Sequence, residues 1–357
     1  MSAIDDARRV LLDAVASSVF PAAVVDVGAS SGTLWREALG TLTFDEASPP
    51  AVEATPFDLA SLTKVIATTP VVMRLVHAKA IRLDERVGEA FSEWRGADRE
   101  AVTVQDLLEH ASGLPARLVD APPLGRREFE HEICSMSLEY EPRTRSVYSD
   151  LGFILLGFLA ADRAGRTLAA QFDSIRQVLG GVEPAMMSVS FGLDAVTKPT
   201  AAPTIAMDDD RRRGRRLIGD VHDNYAAALG GVAGHAGLFG TAPAVAGFAR
   251  AVLRAARGDS TIPDPLSPSL VKRFIAKTAT PHSSRGLGWD TMLTTSSCGT
   301  HLSSAAFGHV GFTGTSLWID PLRDRYFVLL TNRACGGGTP DEMRAARRAF
   351  HDALGDL

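Results

Sequence analysis

Strand-like segments occur near both ends of the chain, whereas helical patterns fill its middle. Residues 20–27 and 33–43 are apolar and strand-like, and a turn containing Gly and Ser separates them, which predicts a β-hairpin. Residues 314–320 and 326–331 predict two further strands, followed by a terminal helix over about residues 340–354. Because strands are stable only when they pair, the two ends of the chain are expected to build one body together.

The chain of 357 residues is long enough for two domains at roughly 150 residues per domain. The pattern predicts an α/β (α+β) sheet domain formed by residues 1–75 with residues 205–357. Residues 76–204 are mainly helical and predict an inserted helical domain. Ligand sites favour clefts between such lobes, so the active site is expected between the two domains.

The composition excludes several classes of protein. Hydrophobic residues make up 45% and charged residues 22% of the chain, which is typical of a folded globular protein. A net charge of −5 does not suggest a nucleic-acid partner, since such binding needs clustered Lys and Arg. The one basic run, residues 211–216, follows three aspartates and is interpreted as a solvated loop.

No segment predicts a membrane span or an export signal. Residues 225–249 lack charge but contain too many glycines for an isolated apolar helix. Asp5 and Asp6 stand where a signal peptide would be cationic. The three cysteines are widely separated and lack metal-ligand spacing, so we expect free thiols and a cytoplasmic protein.

Ser61 and Lys64 begin a predicted helix and are three residues apart. This spacing places both side chains on one helix face, with Cβ atoms about 5–6 Å apart. Free N–H groups at a helix N-terminus can stabilise negative charge, so a serine there next to an amine could act as a nucleophile. Alone, the Ser-x-x-Lys spacing is more typical of an N-cap serine followed by a surface lysine.

Two later segments could complete such a site. Tyr148 precedes an apolar helix and could present its phenol as a general base. His309, Gly311 and Phe312 precede a strand: His309 could donate a hydrogen bond to substrate or to Tyr148, Gly311 could let substrate approach the backbone, and the Phe312 N–H could face an oxyanion. Alone, each of these residues is more typical of ordinary packing or turn chemistry.

The combination and order of these motifs resemble the serine β-lactamase and penicillin-binding-protein superfamily, which carries related Ser-x-x-Lys, Ser-Asp-Asn and Lys-Thr-Gly motifs. The likeness is greater to the class C β-lactamase-like branch, which includes esterases, amidases, D-aminopeptidases and acyltransferases. It extends over about residues 20–350. Supporting segments lie at residues 102–115, 229–239 and 286–289.

The resemblance implies an antiparallel β-sheet flanked by helices, with an inserted all-helical lobe. It also implies acyl-enzyme chemistry, in which Ser61 attacks a carbonyl group while Lys64 and Tyr148 manage its proton. The N–H groups of Ser61 and Phe312 would hold the oxyanion. No metal or organic cofactor is implied, and His235 is expected in a structural, glycine-rich turn.

Two residues depart from the class C pattern. Asp150 stands where class C β-lactamases have the asparagine of Tyr-x-Asn, and it is expected to orient Lys64 by charge. His309, with Gly311, replaces the lysine of Lys-Thr-Gly, and a histidine gives less positive charge at neutral pH. These departures argue against efficient β-lactam hydrolysis.

We therefore expect a serine hydrolase, an esterase or amidase that acts on a small ester, amide or β-lactam-like molecule through Ser61. Two alternatives stay open. One is β-lactamase or D-alanyl-D-alanine carboxypeptidase-like activity on peptidoglycan fragments, and the other is a catalytically idle binding module. The expected sites are Ser61, Lys64 and Tyr148, supported by the following residues: Asp150, His309, Gly311 and Phe312. The sequence does not indicate an oligomeric state.

Overall fold

The computed structural model describes residues 2–119, 121–355 and 357. The strands are β1 (Ala22–Ala29), β2 (Gly32–Gly40), β3 (Phe57–Asp58), β4 (Val189–Phe191), β5 (Thr204–Ile205), β6 (Arg216–Leu217), β7 (Leu238–Gly240), β8 (Asp290–Thr291), β9 (Phe307–Val310), β10 (Ser316–Asp320) and β11 (Arg325–Thr331). The helices are α1 (Ala3–Ala16), α2 (Thr69–His77), α3 (Val87–Ala90), α4 (Val104–Leu108), α5 (Arg126–Ser135), α6 (Asp150–Ala164), α7 (Leu168–Gly180), α8 (Asn224–Ala228), α9 (Ala242–Ala256), α10 (Pro268–Ile275) and α11 (Pro340–Ala353).

The main sheet joins the two ends of the chain. Its six strands lie in the order β2-β1-β11-β10-β9-β8, and the paired strands are antiparallel. β1 lies between β2 and β11, with Val25 opposite Leu329. The predicted hairpin, the two later strands and the antiparallel α/β class are thus confirmed.

Helices cover both faces of this sheet because successive side chains along a strand point to opposite faces. Val25 and Val27 of β1 pack in one hydrophobic cluster with residues of α1 and α11. Val24 lies on the other face, in a second cluster that includes α9. All eight residues of β1 are buried, as expected for a central strand with helices on both sides.

The helical region packs on the α9 side of the sheet. The cluster that contains Val24 continues through apolar side chains of α2, α6 and α7. The same cluster therefore links the region of residues 76–204 with the sheet. The division of the chain into two domains at residues 75 and 205 stays a prediction.

The structure can be compared with three expectations, which concern membrane-spanning helices, the basic run and the cysteines. No described helix has both the length and the apolar character needed to cross a bilayer. In the basic run, Arg211, Arg213, Arg215 and Arg216 are exposed, which confirms a largely solvated loop. The exception is Arg212, which binds Asp210 and the backbone carbonyls of residues 221 and 222. The three cysteines are buried and free.

Candidate active site

Ser61 lies in a tight turn directly before the helical segment that leads into α2. The preceding residue, Ala60, has φ of 46°, a left-handed conformation that L-residues other than glycine seldom adopt. Its N–H donates to Oδ1 of Asp58 at 2.8 Å, which helps to hold this conformation. The Ser61 hydroxyl is thereby presented at the end of a buried strand, β3.

A π-helical turn, Lys64–Thr68, follows Ser61 and precedes α2. The N–H of Thr69 donates to the carbonyl of Lys64, five residues earlier. Pro70 comes next and has no N–H to continue a regular helical ladder. The sequence predicts an uninterrupted helix with Pro70 as a possible kink. In the structure, a wider π-helical turn that begins at Lys64 comes before Pro70, and Pro70 lies in the first turn of α2.

The Lys64 ammonium group is fully buried and lies between four acceptors. Its Nζ is 3.0 Å from Ser61 Oγ, 2.7 Å from the Tyr148 hydroxyl, 2.8 Å from Asp150 Oδ1 and 3.2 Å from the His235 carbonyl. An ammonium has three hydrogens, so these contacts must be shared. The structure brings Ser61, Lys64, Tyr148 and Asp150 into one hydrogen-bonded group.

Tyr148 reaches this group from the segment just before α6. Its hydroxyl donates to Ser61 Oγ at 2.6 Å. The next residue, Ser149, caps the N-terminus of α6 and donates its hydroxyl to the Pro115 carbonyl at 2.6 Å. The backbone N–H of Ser149 donates to Nδ1 of buried His110 at 3.1 Å. These bonds fix the position of the phenol.

Burial and neighbouring charges set the protonation states of the three groups around Ser61. Burial alone would lower the pKa of Lys64, but Asp150 and Tyr148 outweigh it and raise this pKa above its usual value. Burial raises the pKa of Tyr148, although Lys64 opposes the shift. Despite its burial, Asp150 has a lowered pKa, chiefly because of Lys64. The resting group thus holds an ammonium, a phenol and a carboxylate.

A second set of charges lies behind Asp150. The Nη1 of Arg117 donates to Asp150 Oδ2 at 3.0 Å and to Asp223 Oδ2 at 2.9 Å. Asp223 Oδ1 lies 2.8 Å from Nε2 of His235. One ligand atom from each of Asp150, Asp223 and His235 lies within 4.8 Å of the others, which is close enough to hold a metal ion. Lys64 and Arg117 already neutralise the two carboxylates here, so the donor set is that of an ion-pair network.

His309 lies on β9 and is buried beside Tyr148, with ring centroids 5.8 Å apart. No hydrogen bond joins the two side chains; Nδ1 of His309 instead lies 2.8 Å from the Val310 carbonyl. Burial, with Arg285 and Lys64 adding to it, lowers the pKa of His309 well below its ordinary value. His309 is therefore neutral at physiological pH.

Gly311 and Phe312 form the turn after β9. A Cβ at Gly311 would lie 2.1 Å from Thr315 Oγ1 and 2.8 Å from the Leu59 carbonyl, so only glycine lets this turn pack against the strand before Ser61. Within the described residues, the backbone N–H groups of Ser61 and Phe312 donate to no acceptor. The Phe312 ring is 51% exposed.

Two cavities lie on either side of Ser61, Tyr148 and Phe312. The first, the arginine pocket, has about 300 Å³ and is lined by Arg285, Arg333 and Arg347. The second, the Asp150 pocket, has about 370 Å³ and is lined by Arg117, Met207, Asp209, His222 and Asp223 as well as Asp150. A substrate whose carbonyl lies at Ser61 can therefore extend to both sides.

The three arginines of the arginine pocket form no ion pair with a carboxylate in the described parts of the chain. Arg333 donates to the Phe312 carbonyl at 2.7 Å, and Arg347 to the Gly311 carbonyl at 2.7 Å. Arg285 lies over the Tyr148 ring, 5.3 Å from its centroid. Burial lowers the pKa of Arg347 to about 9, which still leaves it charged at neutral pH. One acid, Asp290, shares the lining, so the pocket is strongly cationic.

The Beta-lactamase family model matches residues 7–352. The chain belongs to the beta-lactamase family. Among curated relatives of this beta-lactamase-family protein, a putative D-alanyl-D-alanine carboxypeptidase of Escherichia coli (strain K12) is 27% identical over 316 residues, which cover 79% of this chain and 70% of the relative. An N-acetylmuramyl-L-alanine amidase of Bacillus subtilis (strain 168) is 30% identical over 306 residues, 78% of this chain and 68% of the relative. The protein is a serine hydrolase.

Solved structures share the fold of this beta-lactamase-family chain. The hydrolase EstCE1, described as having promiscuous acyltransferase activity, aligns with a TM-score of 0.76 and 19% identity over 97% of this chain and 98% of its own. A class C beta-lactamase from Rhodobacter sphaeroides aligns with a TM-score of 0.73 and 18% identity over 98% of both chains. At these identities the likeness supports the fold.

Sequence reasoning missed the charged residues around the central group. Arg117 and Asp223 are separated by 106 positions and meet only through the folding of two loops. Arg285 and Arg333 likewise come from separate loops. Arg285 directly precedes the Gly-Leu-Gly-Trp segment that supports the family resemblance, and that adjacency was the one available signal.

Proposed function

We propose that this beta-lactamase-family protein hydrolyses a small amide or ester through an acyl-enzyme on Ser61, with a carboxylate on the leaving side of the substrate. The observation that carries the proposal is that Ser61 Oγ lies within hydrogen-bond distance of both Tyr148, at 2.6 Å, and Lys64, at 3.0 Å. In this geometry the pair can accept the Ser61 proton once the pair itself has lost one proton.

The reaction needs one proton to leave the Lys64–Tyr148 pair first, because the resting pair is an ammonium and a phenol. Ser61 Oγ then bonds to the substrate carbonyl carbon while its proton passes to the pair. When the bond to the leaving nitrogen or oxygen breaks, the same proton passes to that atom. Water repeats the sequence and releases the acid, which regenerates Ser61.

The N–H groups of Ser61 and Phe312 are proposed to bind the oxyanion that forms on the carbonyl oxygen. Both groups lie beside the cavities, and neither donates a hydrogen bond to another described residue. Preorganised backbone donors of this kind stabilise developing negative charge more than the neutral carbonyl.

The arginine pocket supports a carboxylate on the leaving side. His309 is neutral, so it does not supply the positive charge that the lysine of Lys-Thr-Gly would give. Arg285, Arg333 and Arg347 lie next to Ser61 and Tyr148 without acidic partners. A guanidinium matches the two oxygens of a carboxylate, so a peptide or amino-acid leaving group fits this pocket better than a neutral alcohol.

Two relatives suggest which carboxylate-bearing amides to test. The name of the Escherichia coli relative indicates a D-alanyl-D-alanine terminus, and that of the Bacillus subtilis relative indicates the bond between a muramyl group and L-alanine. Both would place a free or peptide-linked amino acid in the arginine pocket. Because all three cysteines are free thiols, we propose the cytoplasm as the compartment and soluble fragments as substrates.

Labelling with a fluorophosphonate probe tests the nucleophile. The wild-type protein and Ser92→Ala, a variant of an exposed serine, should label, whereas Ser61→Ala should not. A wild-type protein that stays unlabelled contradicts the proposal.

Turnover is then compared for a peptide ending in D-alanyl-D-alanine, N-acetylmuramyl-L-alanine, p-nitrophenyl acetate and a chromogenic cephalosporin. We expect the highest kcat/KM with one of the two carboxylate-bearing amides. Highest activity on the cephalosporin would indicate a β-lactamase. Saturable binding without turnover of any compound would indicate an idle binding module.

A further inference from the structure

Hydrogen-bonded groups around Lys64 form a closed ring. From the Lys64 ammonium the ring runs through Asp150, Arg117 and Asp223 to the His235 ring, by contacts of 2.8, 3.0, 2.9 and 2.8 Å. The His235 backbone carbonyl then returns to Lys64 at 3.2 Å. Lys64 thus contacts both ends of one network. A change in charge anywhere in the ring therefore changes the electrostatic potential at the ammonium.

Besides the His235 imidazole, the ring holds two cations, Lys64 and Arg117, and two carboxylates, Asp150 and Asp223. An asparagine at position 150, as in the class C Tyr-x-Asn pattern, would carry no charge. The carboxylate of Asp150 adds one negative charge directly against Lys64. Arg117 bonds the other oxygen of the same carboxylate, and it therefore supplies the compensating charge.

Several partners hold the Arg117 side chain in place. Its guanidinium carbon lies 4.0 Å from the centroid of the Tyr225 ring, and its Nη2 donates to the Asn224 side-chain carbonyl. Asp223 is fixed as the N-cap of α8 and accepts the Ala226 N–H at 2.8 Å. The counter-charge is thus held by contacts with Tyr225, Asn224 and Asp223.

We propose that Arg117 is a positioning residue that balances the charge of Asp150 and so allows the Lys64–Tyr148 pair to give up one proton near neutral pH. The inference rests on the proposed roles of Ser61, Lys64 and Tyr148. Arg117 itself touches neither Ser61 nor Tyr148 by a hydrogen bond, and it acts through Asp150.

The sign of its effect follows from Coulomb interaction. A negative charge beside the pair favours the protonated form, and a positive charge favours loss of the proton. Without Arg117, the uncompensated carboxylates hold the proton on the pair up to higher pH. Without the charge of Asp150, the pair gives up its proton at lower pH. Among the described residues, the other titratable or charged groups near the pair are His110, Arg285 and His309, together with His235 of the ring.

The pH dependence of the second-order rate of fluorophosphonate labelling tests the proposal, because labelling reports the nucleophilicity of Ser61 without a known substrate. For Arg117→Met we expect the acidic limb to move up by about one pH unit, so that labelling falls about tenfold below the midpoint and recovers at high pH. Arg117→Lys should keep most of the wild-type profile.

Asp150→Asn should move the same limb in the opposite direction, and the double variant Asp150→Asn/Arg117→Met should return it close to the wild-type position. Asp223→Asn is a second test of the charge effect, and it should move the acidic limb slightly toward lower pH. Uniformly slower labelling of folded Arg117→Met at every pH, with the acidic limb unmoved, would show a structural role and overturn the proposal. A wild-type protein that does not label overturns the proposed function as well, so the two failures are distinguishable.

Discussion

Gly234, in the turn before His235, packs backbone to backbone against Gly157 on α6. A Cβ at Gly157 would lie 3.0 Å from the Gly234 nitrogen, and a Cβ at Gly234 would lie 1.9 Å from the Phe153 carbonyl oxygen. The pair lets the glycine-rich turn approach α6 closely enough for the His235 carbonyl to accept a hydrogen bond from Lys64.

Gly234→Ala should therefore destabilise the protein and weaken the site. The added methyl group cannot be accommodated without moving the turn or α6, and overpacking of this kind costs about 1–3 kcal/mol. Urea denaturation should show the loss, and fluorophosphonate labelling at pH 7 should slow. Gly247→Ala is the control, because its nearest non-local neighbour is 3.4 Å away and alanine favours the helical conformation of α9. Equal stability of the two variants would contradict this packing.

Arg285→Gln should separate carboxylate recognition from chemistry. The variant keeps hydrogen-bonding groups but removes a charge that has no acidic partner among the described residues. A charged hydrogen bond to substrate contributes about 1.5–3 kcal/mol, so KM for a carboxylate-bearing amide should rise roughly 10-fold to 100-fold. Hydrolysis of p-nitrophenyl acetate should change little, and it serves as the internal control. A similar loss on both compounds would mean that Arg285 acts on Tyr148 instead.

His351→Leu should make stability less sensitive to acid. His351 is fully buried, and burial, aided by nearby Arg347, lowers its pKa to about 3. Between about pH 6.5 and pH 3 the unfolded chain therefore binds a proton here that the folded chain does not, so folding is penalised as the pH falls. At pH 5 the penalty is about 2 kcal/mol, and at pH 8 it is absent.

The variant should accordingly gain more stability at pH 5 than at pH 8, as measured by urea denaturation at each pH. His131→Leu is the control, because His131 is exposed and Glu93 raises its pKa. This variant should not gain stability at pH 5. A pH-independent difference for His351→Leu would disprove the titration argument.

Thr339→Ala should weaken the start of α11. The Thr339 hydroxyl accepts the Glu342 N–H at 3.3 Å, and the Glu342 carboxylate accepts the Thr339 N–H at 2.7 Å. Removing such a cap costs about 1 kcal/mol. Thermal denaturation should show a lower Tm, while Thr339→Ser should keep it. Since Arg347 of the same helix binds the Gly311 carbonyl, an unchanged Tm would show that this anchor, and not the cap, holds α11.

The sequence was informative where the signal is local. The hairpin of β1 and β2 follows from two apolar, strand-like segments separated by a glycine-containing turn, and the Ser61–Lys64 contact follows from helical spacing. The same local reasoning did not predict the π-helical turn at Lys64, because such turns are rare and have no periodic sequence signal.

The rest of the site depends on loops that no periodicity describes. Arg117 meets Asp223 only because the loop after α4 and the segment before α8 converge over Tyr225. Isolated arginines in a sequence are most often solvated, so nothing in the neighbourhood of Arg117 indicated that it pairs, half-buried, with two carboxylates. The motif order placed Ser61, Lys64 and Tyr148 in one predicted site, whereas only the tertiary fold brings Arg117 and Asp223 next to them.

The pairing of β1 with β11 also constrains the order of folding. Asp26 lies opposite Val328, so the central strand acquires one of its two neighbours only after about 300 further residues have been synthesised. Contacts between such distant segments slow folding, because a long loop must close before they form. Before β11 pairs with it, β1 has one unpaired edge, and an unpaired apolar strand can pair with other chains and aggregate. Expression at low temperature or with chaperones should consequently raise the soluble yield.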